Sequence, residues 1–583
     1  MKYKLNTLNY NEEDASLLLN QLLKDRGIKN PAEWLFPKKE MENSPLMMKN
    51  MGKALDILDQ TLKIPDSNIL VVVDADLDGY SSGAIIYFLL QHLSYKQEIN
   101  YVLHPGKEHG LVLKDIPEDT DLIIVPDASS SEKNLHMELL KKGKKIIILD
   151  HHEIDNNDMD YGTYENNIAI VNSMVDYENP ALSGAGVALK FAMGYYHLKG
   201  KPFPMILYAL AACGIVADVM DMSYLENKYI VDTGVKYIDE HLFLKAMIDK
   251  AHYNMEDPVS TIKDIGWVIG PNINAVIRLG TMEQKHIIFR ALVNPDKLIF
   301  STKRGGDMEE IPLYQEAVRI CDNAKKRQTT AVNKGMSIVE NNLTETNHNS
   351  IIYIDKEQEL SFELSGLIAN KLLSKYNKPT LLLKEYINDK GIKEYRGSVR
   401  SKSVEGADNF KEIINGITGV EYAQGHASAF GIAINEELFK EFKVHLNDIV
   451  DKLDFSNNFY KVDSIADFKQ VNIENATIMA RDDIWCHGVE KPICAIENIP
   501  TKKFEIMGTE NQHVKIDGGK YDIVIFNAPE LAKDLLMNKR YNITAIGEYD
   551  VDKSYNIGRL QFIVKDYALF PFEEEDDILT IEF

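Results

Sequence analysis

The sequence predicts an α/β protein: a parallel-sheet domain, a long connecting helix, a second and smaller α/β domain, and a C-terminal β-barrel. Three observations carry this prediction. Between about residues 65 and 300, fully apolar runs alternate with helical segments, the pattern of a doubly wound sheet. Three of those runs end in an aspartate: Val71-Val72-Val73-Asp74, Ile123-Ile124-Val125-Pro126-Asp127 and Ile146-Ile147-Ile148-Leu149-Asp150. After Asp454 the chain turns to regularly spaced short strands, turns and aromatics, which predicts a small barrel or sandwich.

Residues 1–60 read as a helical lead-in, with Leu17, Leu18, Leu19 and Leu22 suggesting an amphipathic helix. Residues 61–308 form the first α/β domain. Strand 68–74 precedes a helix over 81–93, strands 121–127 and 144–150 bracket a helix near 131–142, and strand 167–171 leads to helices from 184 to about 250. Residues 309–345 are a connecting helix, with Tyr314, Val318, Cys321 and Lys325 at helical spacing. Residues 346–455 form the second α/β unit, with strands at 350–354 and 379–383 and a helix over 361–375. The 460–570 segment offers strands at Thr477–Met479, His513–Ile516, Asp522–Phe526, Tyr541–Tyr549 and Leu560–Val564. An acidic tail fills 571–583.

Composition narrows the function classes. At 45% hydrophobic and 26% charged the chain is ordinary for a soluble protein, and its 583 residues suit about three or four domains. No run approaches the roughly 18 apolar residues of a membrane span. The N-terminus lacks the apolar core of a signal peptide. Four scattered cysteines, Cys213, Cys321, Cys486 and Cys494, are too few for a disulfide framework. Together these predict a cytoplasmic protein without a membrane partner. The net charge of −24 opposes a broad basic footprint for nucleic acid. It does not oppose an enzyme that grips phosphate through metal ions, because such ions need carboxylates.

Parallel strands would bring Asp74, Asp127 and Asp150 to one sheet edge, where open α/β sheets bind ligands. Asp74-x-Asp76-x-Asp78-Gly79 opens like a calcium-binding EF-hand loop, but position 12 of such a loop is glutamate and here is Ile85. The remaining reading is a carboxylate cluster, joined by His151 and His152 after Asp150 and by Asp218 at the end of the small-residue run Ala211–Ala217. Carboxylates with a neutral imidazole suit manganese or magnesium better than zinc. Two such ions about 3.5–4 Å apart can clamp a phosphodiester.

These motifs, in this order, resemble the DHH phosphoesterase superfamily. Downstream matches narrow the resemblance to RecJ-like single-strand-specific exonucleases. Ser183-Gly184-Ala185-Gly186 looks like the family's glycine-rich segment, and Gly270-Pro271-Asn272-Ile273-Asn274-Ala275-Val276-Ile277-Arg278 resembles its Pro-Arg-Ile-Asn-Ala-x-Gly-Arg segment. Ser365–Ala369, Gly397–Ser401 and Gly425–Gly431 resemble the DHH-associated domain, and 460–570 is similar to the family's OB-fold.

The resemblance implies two divalent cations, manganese preferred and magnesium a substitute. Asp76 and Asp127 would bridge them, Asp74 would complete one shell, and His151 with Asp218 the other. His151, His152 and Asp150 would form the catalytic group, Asp150 as its support. Asp78, Asn274, Arg278, Arg400, Ser401 and His426 would face the substrate. Single-stranded DNA would be degraded 5′→3′ to mononucleotides, with a single-strand-binding protein or a helicase as candidate partners. Trp485, Tyr521 and Phe526 are stacking candidates, each competing with a place in the core.

The chain departs from the family pattern at Asn272, Ile277, Gln424 and Ala128-Ser129-Ser130, which is compatible with a divergent, phage-borne member. Two other readings stay open: a DHH phosphodiesterase acting on oligoribonucleotides or cyclic dinucleotides, and a non-catalytic replication scaffold.

Overall fold

The structure is a computed structural model. It describes residues 2–572 except 7, 94–98, 107–108, 155–159, 256–257, 303–307, 343–348, 389–390, 403, 405, 456–458 and 553–557. The acidic tail therefore lies outside the described residues, apart from its first two.

The first lobe is built on five parallel strands: β1 (Ile69–Val73), β2 (Asn100–Leu103), β3 (Leu122–Pro126), β4 (Lys145–Asp150) and β5 (Ile168–Asn172). Their order in the sheet is β2-β1-β3-β4-β5. The chain leaves β1 to one side for β2 and returns to its other side for β3. This reversal opens a crevice at the carboxyl end of β1, the place where such sheets take ligands. Strand β2 has no counterpart among the expected elements, because Asn100-Tyr101-Val102-Leu103 is too short and mixed to stand out.

Helices α1 (Leu77–His92), α2 (Gly184–Leu198) and α3 (Leu207–Ala217) pack together against the sheet in one continuous apolar core. Helix α1 begins four residues before the expected position, because Asp76 caps it by accepting the Gly79 N–H at 3.0 Å. Downstream, α4 (Gly270–Leu279) follows directly on a π-helical stretch, Ile265–Ile269.

The expected connecting helix is α5 (Leu313–Asn342), 30 residues and so about 45 Å long. Its start is later than predicted because Met308–Pro312 pairs with Leu298–Thr302 as a hairpin. The second lobe carries β6 (Ile351–Asp355), β7 (Thr380–Ile387), β8 (Lys393–Arg400), β9 (Val420–His426) and β10 (Ala429–Asn435), in the order β9-β10-β8-β7-β6. Leu381, Leu383, Val399, Phe430 and Ile432 fill the core on one face. On the other face α6 (Ser365–Tyr376) covers only part of β7 and β8. Lys384, Arg396 and Tyr422 beyond it line an open cleft.

The C-terminal sheet has seven strands, in the order Ser464–Asp467, Cys494–Pro500, Tyr541–Asp552, Arg559–Pro571, Asp522–Ile525, His513–Asp517 and Phe504–Met507. The strand expected at Thr477–Met479 is instead the end of a helix, Ile473–Met479. Asn472 caps it by accepting the Asn475 N–H, and Ala476 and Met479, three apart, share its buried face. Trp485 and Tyr521 are core residues, whereas Phe526 is 51% exposed and sits edge-on to His513.

The N-terminal segment differs most from expectation. Its first residues, Lys2–Leu5, form a strand parallel to Phe459–Val462. Helix Ala15–Asp25 buries Leu18, Leu22 and Leu23 in the C-terminal core. Trp34 then joins that core to the first lobe: fully buried, it donates from Nε1 to the Met222 carbonyl at 2.8 Å, beneath the Lys228 ammonium. No helix among the described residues is long and apolar enough to cross a membrane.

Truncating Trp34 removes both a large buried ring and this link. Trp34→Ala is expected to lower stability by about 3–5 kcal/mol, read as a lower urea midpoint. An unchanged midpoint would show that the N-terminal segment does not hold the two bodies together.

Candidate metal centre

Strands β1, β3 and β4 deliver Asp74, Asp127 and Asp150 to the same sheet edge. Asp74, Asp76 and Asp127 each offer an oxygen within 4.8 Å of the others. The same holds for Asp78, His151 and Asp218, and for Asp127, His151 and His152. His151 Nε2 lies 3.2 Å from Asp127 and 3.5 Å from Asp218. Glycines make this crowding sterically possible. A Cβ on Gly184 would collide with the Asp127 carboxylate, one on Gly214 with Asp78, and one on Gly79 would stand 2.6 Å from Asp74 Cβ.

The carboxylates divide by how their charge is met. Asp150 is fully buried and satisfied. Its Oδ1 accepts the His151 N–H at 2.7 Å and His152 Nδ1 at 2.8 Å, and its Oδ2 accepts the Ser130 N–H at 2.9 Å. Burial would raise its pKa, but the His152 and Ser130 hydrogen bonds outweigh burial and hold it well below the carboxylate range. In return Asp150 raises His152 to about 9. Asp78 accepts the Ser183 hydroxyl at 2.9 Å and the N–H groups of Gly184 and Ala185 at 2.8 and 3.0 Å, the first turn of α2.

Asp127, Asp76 and Asp218 lack that compensation. Asp127 is 2% exposed, and its Oδ1 accepts no hydrogen bond; His151 Nε2 is near but lacks the alignment of one. Its backbone is left-handed at φ 68°, a conformation that costs a non-glycine residue roughly 1–3 kcal/mol. Burial first, then the charges of Asp78, Asp76 and Asp74, push its pKa well above the usual range. Burial, then the charges of Asp74 and Asp78, raise Asp76 to about 6, and burial, then the charges of Asp78 and Asp76, raise Asp218. Burial holds His151 below its ordinary value, which favours the neutral, ligating imidazole. An orphaned buried oxygen among crowded acids is the arrangement a divalent cation completes, so the residues present fit such ions.

The second lobe faces this edge across a cleft of about 750 Å³, lined by Asp74, Asp127 and His152 on one side and Arg396, Ser398 and Arg400 on the other. Arg400 lies close enough to Arg278 for mutual repulsion to add to burial in lowering its pKa. Arg278 in turn feels the Asp76 charge. His426 is exposed at the end of β9, within electrostatic reach of His151. Asn274 lines a second cavity with Arg278, and its Oδ1 is buried without a partner among the described residues.

Two further expected substrate contacts, Asp78 and Ser401, are buried. Asp78 is 2% exposed and accepts hydrogen bonds from the first turn of α2. Ser401, just after β8, is 7% exposed, with its N–H bonded to the Ser428 carbonyl and its hydroxyl to the Lys402 carbonyl.

Sequence reasoning missed His109 and Gly110. His109 Nδ1 lies 2.8 Å from Asp74 Oδ2, and the Gly110 N–H donates to Asp74 Oδ1 at 3.0 Å. Recognising β2 beside β1 would have placed their loop at this edge. Asn172, at the end of β5, was also missed: it donates to the Ser130 hydroxyl and the His152 carbonyl, both at 2.9 Å. Ser129 adopts φ 77°, a glycine-like conformation, and its hydroxyl receives the Leu111 N–H at 2.9 Å.

Removing one charge from the crowded trio relieves repulsion. Metal-free Asp127→Asn is therefore expected to melt at or above the wild-type temperature. Manganese at about 100 times its Kd should stabilise the wild type by roughly 2.7 kcal/mol and the variant far less. Equal stabilisation of both proteins would show that the ions bind elsewhere.

The profile of the DHH family, N-terminal domain, matches residues 68–215, and that of the RecJ OB domain matches residues 462–566. The chain is 31% identical over 526 residues to the SPbeta prophage-derived YorK of Bacillus subtilis, whose name assigns it single-strand DNA-specific exonuclease activity; the match spans 88% of each chain. It is 24% identical over 554 residues to the single-stranded-DNA-specific exonuclease RecJ of Haemophilus influenzae, covering 88% of this chain and 89% of that one. The crystal structure of RecJ with Mn2+ from Thermus thermophilus superposes over 98% of this chain and 80% of that chain, with a TM-score of 0.71 at 19% identity, a likeness of fold. By fold, paired domains and identity across most of its length, the chain belongs to the DHH family, among the RecJ-like single-strand-DNA-specific exonucleases.

Proposed function

We propose that this protein degrades single-stranded DNA from the 5′ end, releasing 5′-mononucleotides, with two divalent cations and a preference for manganese. One observation carries the reading above all: the unpaired, buried Asp127 oxygen among Asp74 and Asp76, facing a basic sheet face across the cleft. Ions held there would supply positive charge to the phosphodiester and lower the pKa of an attacking water.

The roles implied by the family resemblance are supported by the surroundings of the protein groups. Asp74, Asp76, Asp127, His151 and Asp218 would hold the ions. Asp150 fixes the backbone that carries both histidines. His152, exposed and cationic through Asp150, meets the scissile phosphate. Arg278 and Arg400 bind phosphates from opposite lobes, an assignment that suits guanidinium geometry. Arg278 lies near enough to repel Arg400, a repulsion that a bound phosphate would relieve. His426 meets the strand end.

The test is digestion of 5′-labelled and 3′-labelled single strands, duplex and short RNA, with manganese, magnesium or chelator. Manganese-dependent loss of the 5′ label from single-stranded DNA is expected. Preference for duplex or RNA, or activity undiminished by chelator, would contradict the proposal. Asp127→Ala is expected to reduce cleavage by at least roughly 10²–10³-fold while strand binding, measured by anisotropy, persists. Retained cleavage would mean that the hydrolytic centre lies elsewhere.

A further inference from the structure

A second cavity of about 570 Å³ is lined by residues of the first lobe, the long helix α5, Leu367 of the second lobe and the C-terminal domain. Val216 and Ala217, the residues just before Asp218, form part of its wall. Arg278 and Lys325 supply two cations to it, and no described carboxylate forms an ion pair with either. Asn274 brings its unpartnered Oδ1. At its rim stands Trp267, in the middle of the π-helical stretch Ile265–Ile269.

Trp267 is 80% exposed, whereas Trp34 is fully buried and Trp485 is 7% exposed. An indole so exposed contributes little to folding, and π-helical turns frequently mark functional sites. A flat aromatic beside two cations and an open acceptor matches one chemical class well: a nucleotide of a single strand, with its base on the ring and its phosphates on the cations. The cavity also adjoins the carboxylates from other elements: Asp74, Asp127 and His152 line the first cleft, whereas Val216 and Ala217, just before Asp218, line this one.

We propose that this cavity is a nucleotide subsite that receives the strand on the far side of the scissile phosphate, with Trp267 as its stacking platform and Arg278 and Lys325 as its phosphate contacts. The assignment rests on the single-strand nuclease reading above. The departing 5′ nucleotide occupies the larger cleft, and the rest of the strand passes the metal ligands into this one. Trp267 thus sets how tightly the strand is held for successive cuts, and it takes no part in bond breaking.

The test uses the full-length protein in chelator, titrated with thymidine monophosphate and with oligothymidylates of increasing length. Tryptophan fluorescence is expected to be quenched by oligomers long enough to span both cavities and unaffected by the mononucleotide. Trp267→Phe should abolish the quench. Trp267→Ala should weaken binding of a fluorescein-labelled oligomer roughly 5- to 100-fold and raise KM more than it lowers kcat in manganese. Its melting temperature and manganese affinity should match the wild type, as a structural role for the ring would not allow. A quench that survives in Trp267→Phe, or wild-type binding and KM in Trp267→Ala, would overturn the subsite alone. So would a change of oligomeric state in Trp267→Ala by sedimentation, which would make the ring a self-association contact. Failure of the wild type to bind or cut any single strand would overturn the nuclease reading as well.

Discussion

The repulsion among buried carboxylates at one sheet edge is the constraint around which the molecule is arranged. Two like charges about 4 Å apart cost roughly 4 kcal/mol at an effective dielectric of 20. A domain is stable by only about 5–15 kcal/mol. The aspartates gathered in one place therefore need compensation, and the fold supplies it unevenly. Asp150 and Asp78 are neutralised by backbone and side-chain donors. Asp74 is held by His109 and Gly110. Asp127, Asp76 and Asp218 are left short of partners, an arrangement that fits divalent cations.

The surrounding architecture serves this arrangement. Parallel pairing sets the ends of β1, β3 and β4 level with one another, and the reversal at β1 leaves the crevice open. Gly184 and Gly214 let α2 and α3 come close enough to bring Asp78 and Asp218 into the group. The left-handed backbone at Asp127 and Ser129 concentrates strain beside the ligands. The long helix α5 then sets the second lobe opposite, so that its uncovered basic face meets an acidic edge.

The sequence is most legible where the chemistry is local. Fully apolar strands ending in aspartate announce both a buried parallel sheet and the edge at which its carboxylates gather. Asp-His-His is equally local. What escapes depends on contacts distant in sequence. His109 follows the weak strand β2, whose importance comes only from its neighbour β1. That Asp78 accepts the first turn of α2, more than a hundred residues later, is hidden in the same way. The lead-in looks like a separate helical segment, yet its strand and helix complete the C-terminal domain from the opposite end of the chain. Met479 reads as part of a strand because Thr477 and Ile478 are β-branched, and the Asn472 cap decides otherwise.

The most direct measurement of the cation receptor is electron paramagnetic resonance of the metal-free, full-length protein titrated with manganese. Ions sharing Asp76 and Asp127 would sit about 3.5–4 Å apart. The account predicts uptake of two ions per chain with a magnetically coupled spectrum. A single isolated six-line signal, or no tight uptake, would contradict it.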